Sequence, residues 1–220
     1  MNPRLSWIGL LIASLGLAPS ALGGAIQCAN LIYGGTHTSR CFSDEFLSAV
    51  QKETTIGTER RFKTVKLASD ELFKYPFTIL TGEKDFHFTP EERKNLKRYL
   101  ESGGFLLVSA GCSNQEFDKA FRREIKSAFE DKALERLPDN HTIYRTVHQV
   151  AGLETKGHGY GAHEKIALEG LNLGSKTVLI YSRHGLNDTA HTEGCCCCGG
   201  SEISNALEVN VNIFVYALLY

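Results

Sequence analysis

The sequence predicts an α/β domain built on a mostly parallel sheet with helices on both faces. Short apolar runs that stop at glycine or small polar residues alternate with amphipathic stretches opened by capping residues. The alternation continues along nearly the whole chain, with no internal repeat and no low-complexity linker. The 220 residues, 42% hydrophobic and 22% charged, suit one globular domain that can bury a core without disulfide staples.

Asn30-Leu31-Ile32-Tyr33, stopped by Gly34-Gly35, reads as a buried first strand. A polar loop over residues 36–40 leads to Cys41, and Ser43 is placed to cap a helix with the apolar face Phe46, Leu47 and Val50. Residues 62–67 alternate apolar and polar as a second strand should, and Pro76-Phe77-Thr78-Ile79-Leu80 is a third, ending at Thr81-Gly82. Thr89-Pro90-Glu91-Glu92 has the three marks of a helix start: a capping threonine, proline in the first turn and a glutamate that closes a capping box. Leu96, Tyr99 and Leu100 give that helix its buried face, and Gly103-Gly104 ends it.

Residues 105–108 form a fourth strand running into Ser109-Ala110-Gly111-Cys112. Ser113 with Glu116 reads as a second capping box, followed by the helical face Phe117, Phe121, Ile125, Ala128 and Phe129, with Leu137-Pro138 closing the segment. Residues 157–163 read as a loop, and residues 166–173 and 177–181 as two strands joined around Gly174-Ser175. A polar loop over residues 182–193 then leads to four consecutive cysteines, Cys195, Cys196, Cys197 and Cys198. In the last segment Val209-Asn210-Val211-Asn212-Ile213 alternates like a strand. The longer spacing Ile203, Leu207, Phe214, Ala217, Leu218 favours a helix, which is the expectation here.

The first 25 residues differ from the rest. Arg4 is their single charge, residues 5–17 are apolar apart from serine and glycine, and small residues follow at 19–25. This is the order of a secretory signal peptide, too short in its apolar part for a spanning helix. The expected organisation is therefore a signal peptide over residues 1–25 and a single domain over residues 26–220, exported to the periplasm or secreted, with no stable membrane span after cleavage. The remaining chain carries 23 basic and 25 acidic residues. Such a balance offers no electrostatic footprint for nucleic acid.

Export implies an oxidising compartment, where seven cysteines leave at least one without an intrachain partner. In a parallel sheet, ligands bind beyond the carboxyl ends of the strands. Cys41 follows the first strand, Cys112 the fourth and Cys195 to Cys198 the last, so all three groups are expected at one edge. Cys28 precedes the first strand and is expected apart from them.

Several segments resemble the bacterial domain-of-unknown-function 4159 family. They are Asn30-Leu31-Ile32-Tyr33-Gly34-Gly35, Leu72-Phe73-Lys74-Tyr75-Pro76-Phe77, Tyr99-Leu100-Glu101-Ser102-Gly103-Gly104-Phe105-Leu106-Leu107, Phe117-Asp118-Lys119-Ala120-Phe121-Arg122-Arg123-Glu124 and Val211-Asn212-Ile213-Phe214-Val215-Tyr216-Ala217-Leu218. The resemblance covers nearly all of the chain after the leader. It implies a flavodoxin-like three-layer sandwich with a mostly parallel central sheet, similar to class I glutamine amidotransferases, and no established activity. Where family members more often carry acidic residues near the end of the fourth strand, this chain has Ser109-Ala110-Gly111.

Three chemistries fit the cysteine groups. In the leading one, Cys41, Cys112, Cys195, Cys196, Cys197 and Cys198 hold a soft metal, zinc or Cu(I), with His184 and His191 in reserve. Cys195 and Cys198 have the two-residue gap that turns both thiolates to one ion. The same cysteines can instead pair as disulfides. In the second chemistry Cys112 is the nucleophile of an amidase or hydrolase: it stands between strand and helix, as an amidotransferase nucleophile does. His191-Thr192-Glu193 resembles that superfamily's His-x-Glu pair, and Gly82 supplies an oxyanion N–H. The superfamily's Gly-x-Cys-x-Gly turn is broken here by Ala110 and Asn114. In the third, the chain is a non-catalytic cell-envelope module with structural disulfides and an envelope protein partner. His37, His87 and His141 read as structural or surface residues, and Arg122-Arg123 as a solvated helix face.

Overall fold

The structure is a computed structural model and describes residues 24–34, 37–38, 42–153, 155–156, 166–186 and 202–220. The signal-peptide reading of residues 1–25 therefore falls almost wholly outside the described residues.

Among the described residues, ten strands and four α-helices follow in chain order. They are β1 (Ala29–Tyr33), β2 (His37–Thr38), α1 (Glu45–Glu53), β3 (Lys63–Lys66), β4 (Phe77–Gly82), α2 (Pro90–Glu101), β5 (Phe105–Ala110), α3 (Gln115–Ala128), β6 (Glu135–Arg136), β7 (Thr155–Lys156), β8 (Glu169–Leu173), β9 (Lys176–Ser182), β10 (Glu202–Ile203) and α4 (Ala206–Leu219). The main sheet runs β3-β1-β4-β5-β9-β8-β6, with β2 antiparallel on β1. Strands β3, β1, β4, β5 and β9 are mutually parallel. The hairpin β8–β9 turns at Gly174, whose φ of 63° suits glycine, and makes β8 antiparallel. Strands β7 and β10 form a separate antiparallel pair.

Side chains of the central strands alternate between two cores, as the period of two requires. On β5, Leu106, Val108 and Ala110 join one cluster with Leu96, Tyr99 and Leu100 of α2 and Phe117, Phe121 and Ile125 of α3. Phe105 and Leu107 join the other, with Phe46, Leu47 and Val50 of α1 and Val209, Ile213 and Phe214 of α4. Both faces of β5 are buried throughout, which is why its sequence is a continuous apolar run. Aromatic rings knit the α1/α4 side: Phe214 lies 5.1 Å from Phe77 and 6.1 Å from Phe46, centroid to centroid. Each such fully buried ring contributes roughly 2–3 kcal/mol by transfer from water.

The Thr89 capping box forms as expected, with Glu92 N–H donating to Thr89 Oγ1 and Thr89 N–H donating to Glu92 Oε2. The second expected box does not. The N-cap of α3 is Asn114, whose Oδ1 accepts from Phe117 N–H at 3.0 Å. Cys112 and Ser113 both have φ of +52°, so the chain returns to a capping conformation only at Asn114. Helix α3 also ends at Ala128, well before Leu137-Pro138.

The final segment is a helix despite its alternating pattern. Asn212 is buried and acts on a loop: its Oδ1 accepts from Val147 N–H and His148 N–H at 2.9 and 2.8 Å, and its Nδ2 donates to His148 O. Among the described residues no helix is long and apolar enough to cross a membrane.

Candidate functional site at the carboxyl edge of the sheet

Because five strands are parallel, the chain segments that leave β4, β5 and β9 emerge at one edge. They bring Glu83, Cys112, Ser113 and His184 together. Cys112 Sγ lies 3.5 Å from Glu83 Oε1. Ser113 Oγ lies 3.4 Å from His184 Nδ1. Below them, Ser182 Oγ donates to His184 O at 2.6 Å, and Ser109 Oγ donates to the same oxygen at 3.4 Å. Ser109 Oγ also accepts from Leu186 N–H at 2.8 Å, so the segment leaving β9 is fastened to the end of β5. Ser109, Ser182 and His184 are buried, whereas Cys112 and Ser113 are half-buried.

Cys112 is disulfide-bonded. In that state its sulfur is neither a metal ligand nor a nucleophile. The charged group against it is the Glu83 carboxylate, whereas reactive thiolates are supported by electropositive surroundings. Gly111, just before it, has a packing reason to be glycine: a Cβ there would meet Glu83 Cγ at 2.9 Å and Gly82 O at 3.1 Å.

Gly82 closes β4 beside this turn, paired with Ala110. A Cβ on it would run into the Tyr33 hydroxyl and come within 2.8 Å of the Phe117 ring. Tyr33 O–H donates to Thr81 O at 2.7 Å. Close packing thus accounts for this glycine, and the space between the ends of β1 and β4 is filled by aromatic side chains.

Cys41, His191, Glu193, Cys195, Cys196, Cys197 and Cys198 lie outside the described residues. Cys28 is a free, fully buried thiol at the start of β1, the opposite end of a parallel strand from Cys112. Burial pushes this thiol up to about 12. Among the described residues, no three His, Cys, Asp or Glu side chains converge as ligands for an ion. His87 rests against Glu124 Oε1 at 3.1 Å, and His141 Nδ1 accepts from Ile143 N–H. Arg122 and Arg123 are more engaged than a solvated face implies: Arg122 grips Glu169 with two hydrogen bonds of 2.6 and 2.7 Å, and Arg123 pairs with Asp85 and Glu124.

Sequence reasoning missed Glu83 and the contact between Ser113 and His184. For the start of α3 the available signal was Asn114, a second capping residue directly before the helical face of Phe117 and Phe121.

Residues 27–218 match the family described as Domain of unknown function (DUF4159). The chain belongs to this family. No curated protein matches the chain. Membership in DUF4159 spans both cores and every strand of the main sheet, so the edge described above is part of the family domain itself.

Proposed function

We propose that this chain is an exported, flavodoxin-like domain that serves as a disulfide-braced binding module of the cell envelope, with its binding edge at the carboxyl ends of the sheet strands. The observation that carries the reading is the disulfide of Cys112 on the turn leaving β5. A disulfide persists in an oxidising compartment, which agrees with the leader-like first 25 residues. The flavodoxin-like assignment is supported by strand order: β3-β1-β4-β5-β9 is the order 2-1-3-4-5 of that doubly wound fold. Similarity to glutamine amidotransferases is supported by the sharp link from β5 to α3 and not by a free thiol on it. The module's partner is an envelope protein, recognised at the edge formed by the segments that leave β4, β5 and β9.

Thiol counting on the unfolded, unreduced protein, together with elemental analysis of the native protein, tests this reading. If Cys28 is the odd cysteine, the other six pair and one free thiol is found, with no stoichiometric metal. Four or more free thiols accompanied by stoichiometric zinc or Cu(I) would overturn it and return Cys195 to Cys198 to the role of metal ligands.

A further inference from the structure

We propose that Ser113 and His184 form a nucleophile–base pair that hydrolyses ester-type acyl substrates at the carboxyl edge of the sheet. This goes beyond the binding reading and does not depend on it.

Four observations converge on the pair. Ser113 stands on the sharp link between β5 and α3 with φ of +52°, following Cys112 with the same φ. Left-handed backbone costs roughly 1–2 kcal/mol per non-glycine residue, and such strain collects where a side chain must be held out for function. Second, Ser113 Oγ lies 3.4 Å from His184 Nδ1, a distance that a bound substrate can tighten. Third, His184 is buried and its main-chain oxygen accepts from Ser182 Oγ and Ser109 Oγ, so the backbone that carries the ring is fixed at the end of β9. Fourth, α3 begins one residue beyond the Asn114 cap. Ser113 thus stands two residues before the first turn of α3, whose positive dipole end favours negative charge at that terminus.

The step balances within the protein and water. Neutral His184, protonated on Nε2, accepts the Ser113 hydroxyl proton on Nδ1 as Oγ bonds to the ester carbonyl carbon. Collapse of the tetrahedral adduct breaks the carbon–alkoxide bond, and Nδ1 returns the proton to the departing alcohol. Water then adds to the acyl-serine with its proton taken by Nδ1, the serine oxygen leaves, and that proton restores the hydroxyl. Cys112 takes no part and stays oxidised, serving as a brace for the turn that presents Ser113.

The test uses the full chain in its oxidised form, a fluorophosphonate probe and p-nitrophenyl acetate. The folded wild type is labelled on Ser113, as peptide mapping reads out, and Ser113→Ala loses the label. His184→Gln, checked by circular dichroism for an unchanged fold, slows labelling at least about 100-fold. It also loses the rise of rate with pH that a histidine base gives the wild type. If His184→Gln does not fold, His184→Asn takes its place. Absence of label on Ser113 in the folded wild type would overturn the proposal, whatever the variants do. Equal labelling rates with and without the His184 ring would also overturn it.

Discussion

Arg93 of α2 donates two hydrogen bonds to Glu124 Oε2 of α3, from Nε at 3.0 Å and from Nη2 at 2.8 Å. The Glu124 side chain is 1% exposed, so this is a carboxylate withdrawn from water and compensated by fixed partners. Arg123 and His87 reach its other oxygen, and the group pins the two helices that cover one face of the sheet. Arg93→Ala removes the better-buried partner and leaves a carboxylate that Arg123 and His87 only partly satisfy. Urea unfolding should show a loss of about 2 kcal/mol, below the full cost of stranding a buried charge because those two partners remain. A change under about 0.5 kcal/mol would mean that Arg123 and His87 suffice to hold the buried carboxylate.

The start of α3 separates two adjacent residues by role. Asn114→Ala removes the side-chain acceptor of Phe117 N–H and should cost about 1 kcal/mol. Ser113→Ala removes the side-chain contact with His184 Nδ1 but no cap, and should shift the urea midpoint less than Asn114→Ala does. The reverse order of effects would show that Ser113 caps the helix after all.

These two positions also show what the sequence could reveal. The strand and helix pattern was legible because it rests on local rules: apolar runs for strands buried on both faces, and the Thr89 box at α2. Parallel order and a shared edge follow from the same alternation. The cap at Ser113 was misread because Ser-x-x-Glu is a pattern of side chains, whereas the backbone there is left-handed at Cys112 and Ser113. Contact between Ser113 and His184 links positions 71 residues apart, and no local rule reports such a pair. The last segment is a helix as its longer spacing predicts, and the alternation at 209–213 has another cause: its asparagines are buried to satisfy loops, not solvated as on the open face of a strand.

Asn212 can be tested directly. Asn212→Leu keeps the branching at Cγ but leaves Val147 N–H and His148 N–H without their acceptor and His148 O without its donor. The expected loss is about 2 kcal/mol, and limited proteolysis should cut residues 142–153 faster than in the wild type. Unchanged cleavage there would show that the loop is held by other contacts.

Gly82→Ala should be more damaging than most glycine substitutions. The new methyl group would meet the Tyr33 hydroxyl and the Phe117 ring, both in the core between the sheet and α3. Thermal unfolding should show a loss of about 3 kcal/mol. Tyr33→Phe in the same chain removes the obstructing oxygen and should recover part of it, less the hydrogen bond to Thr81. Failure of the second change to recover any stability would place the strain at Phe117 instead.

Cys28 gives the fold an alkaline limit that is independent of the disulfide. Its thiol is fully buried, and desolvation pushes it from an ordinary value of 9.0 up to about 12. Below pH 9 both the native and unfolded chains hold this proton, and the thiol has no effect on the pH dependence. Between pH 9 and about pH 12 the unfolded chain releases it while the native chain keeps it, so stability must fall as pH rises. The full effect, at the top of that window, is about 4 kcal/mol. Burial raises Tyr33, Tyr99 and Tyr181 as well, and they act in the same direction at higher pH. Cys28→Ala should therefore be less stable than the wild type at pH 7, because it leaves a small cavity, yet lose stability more slowly between pH 9 and 12. Urea midpoints at several pH values measure both slopes. Parallel curves for the two proteins would show that Cys28 ionises as easily in the native state as in the unfolded chain, and so that the start of β1 is open to water.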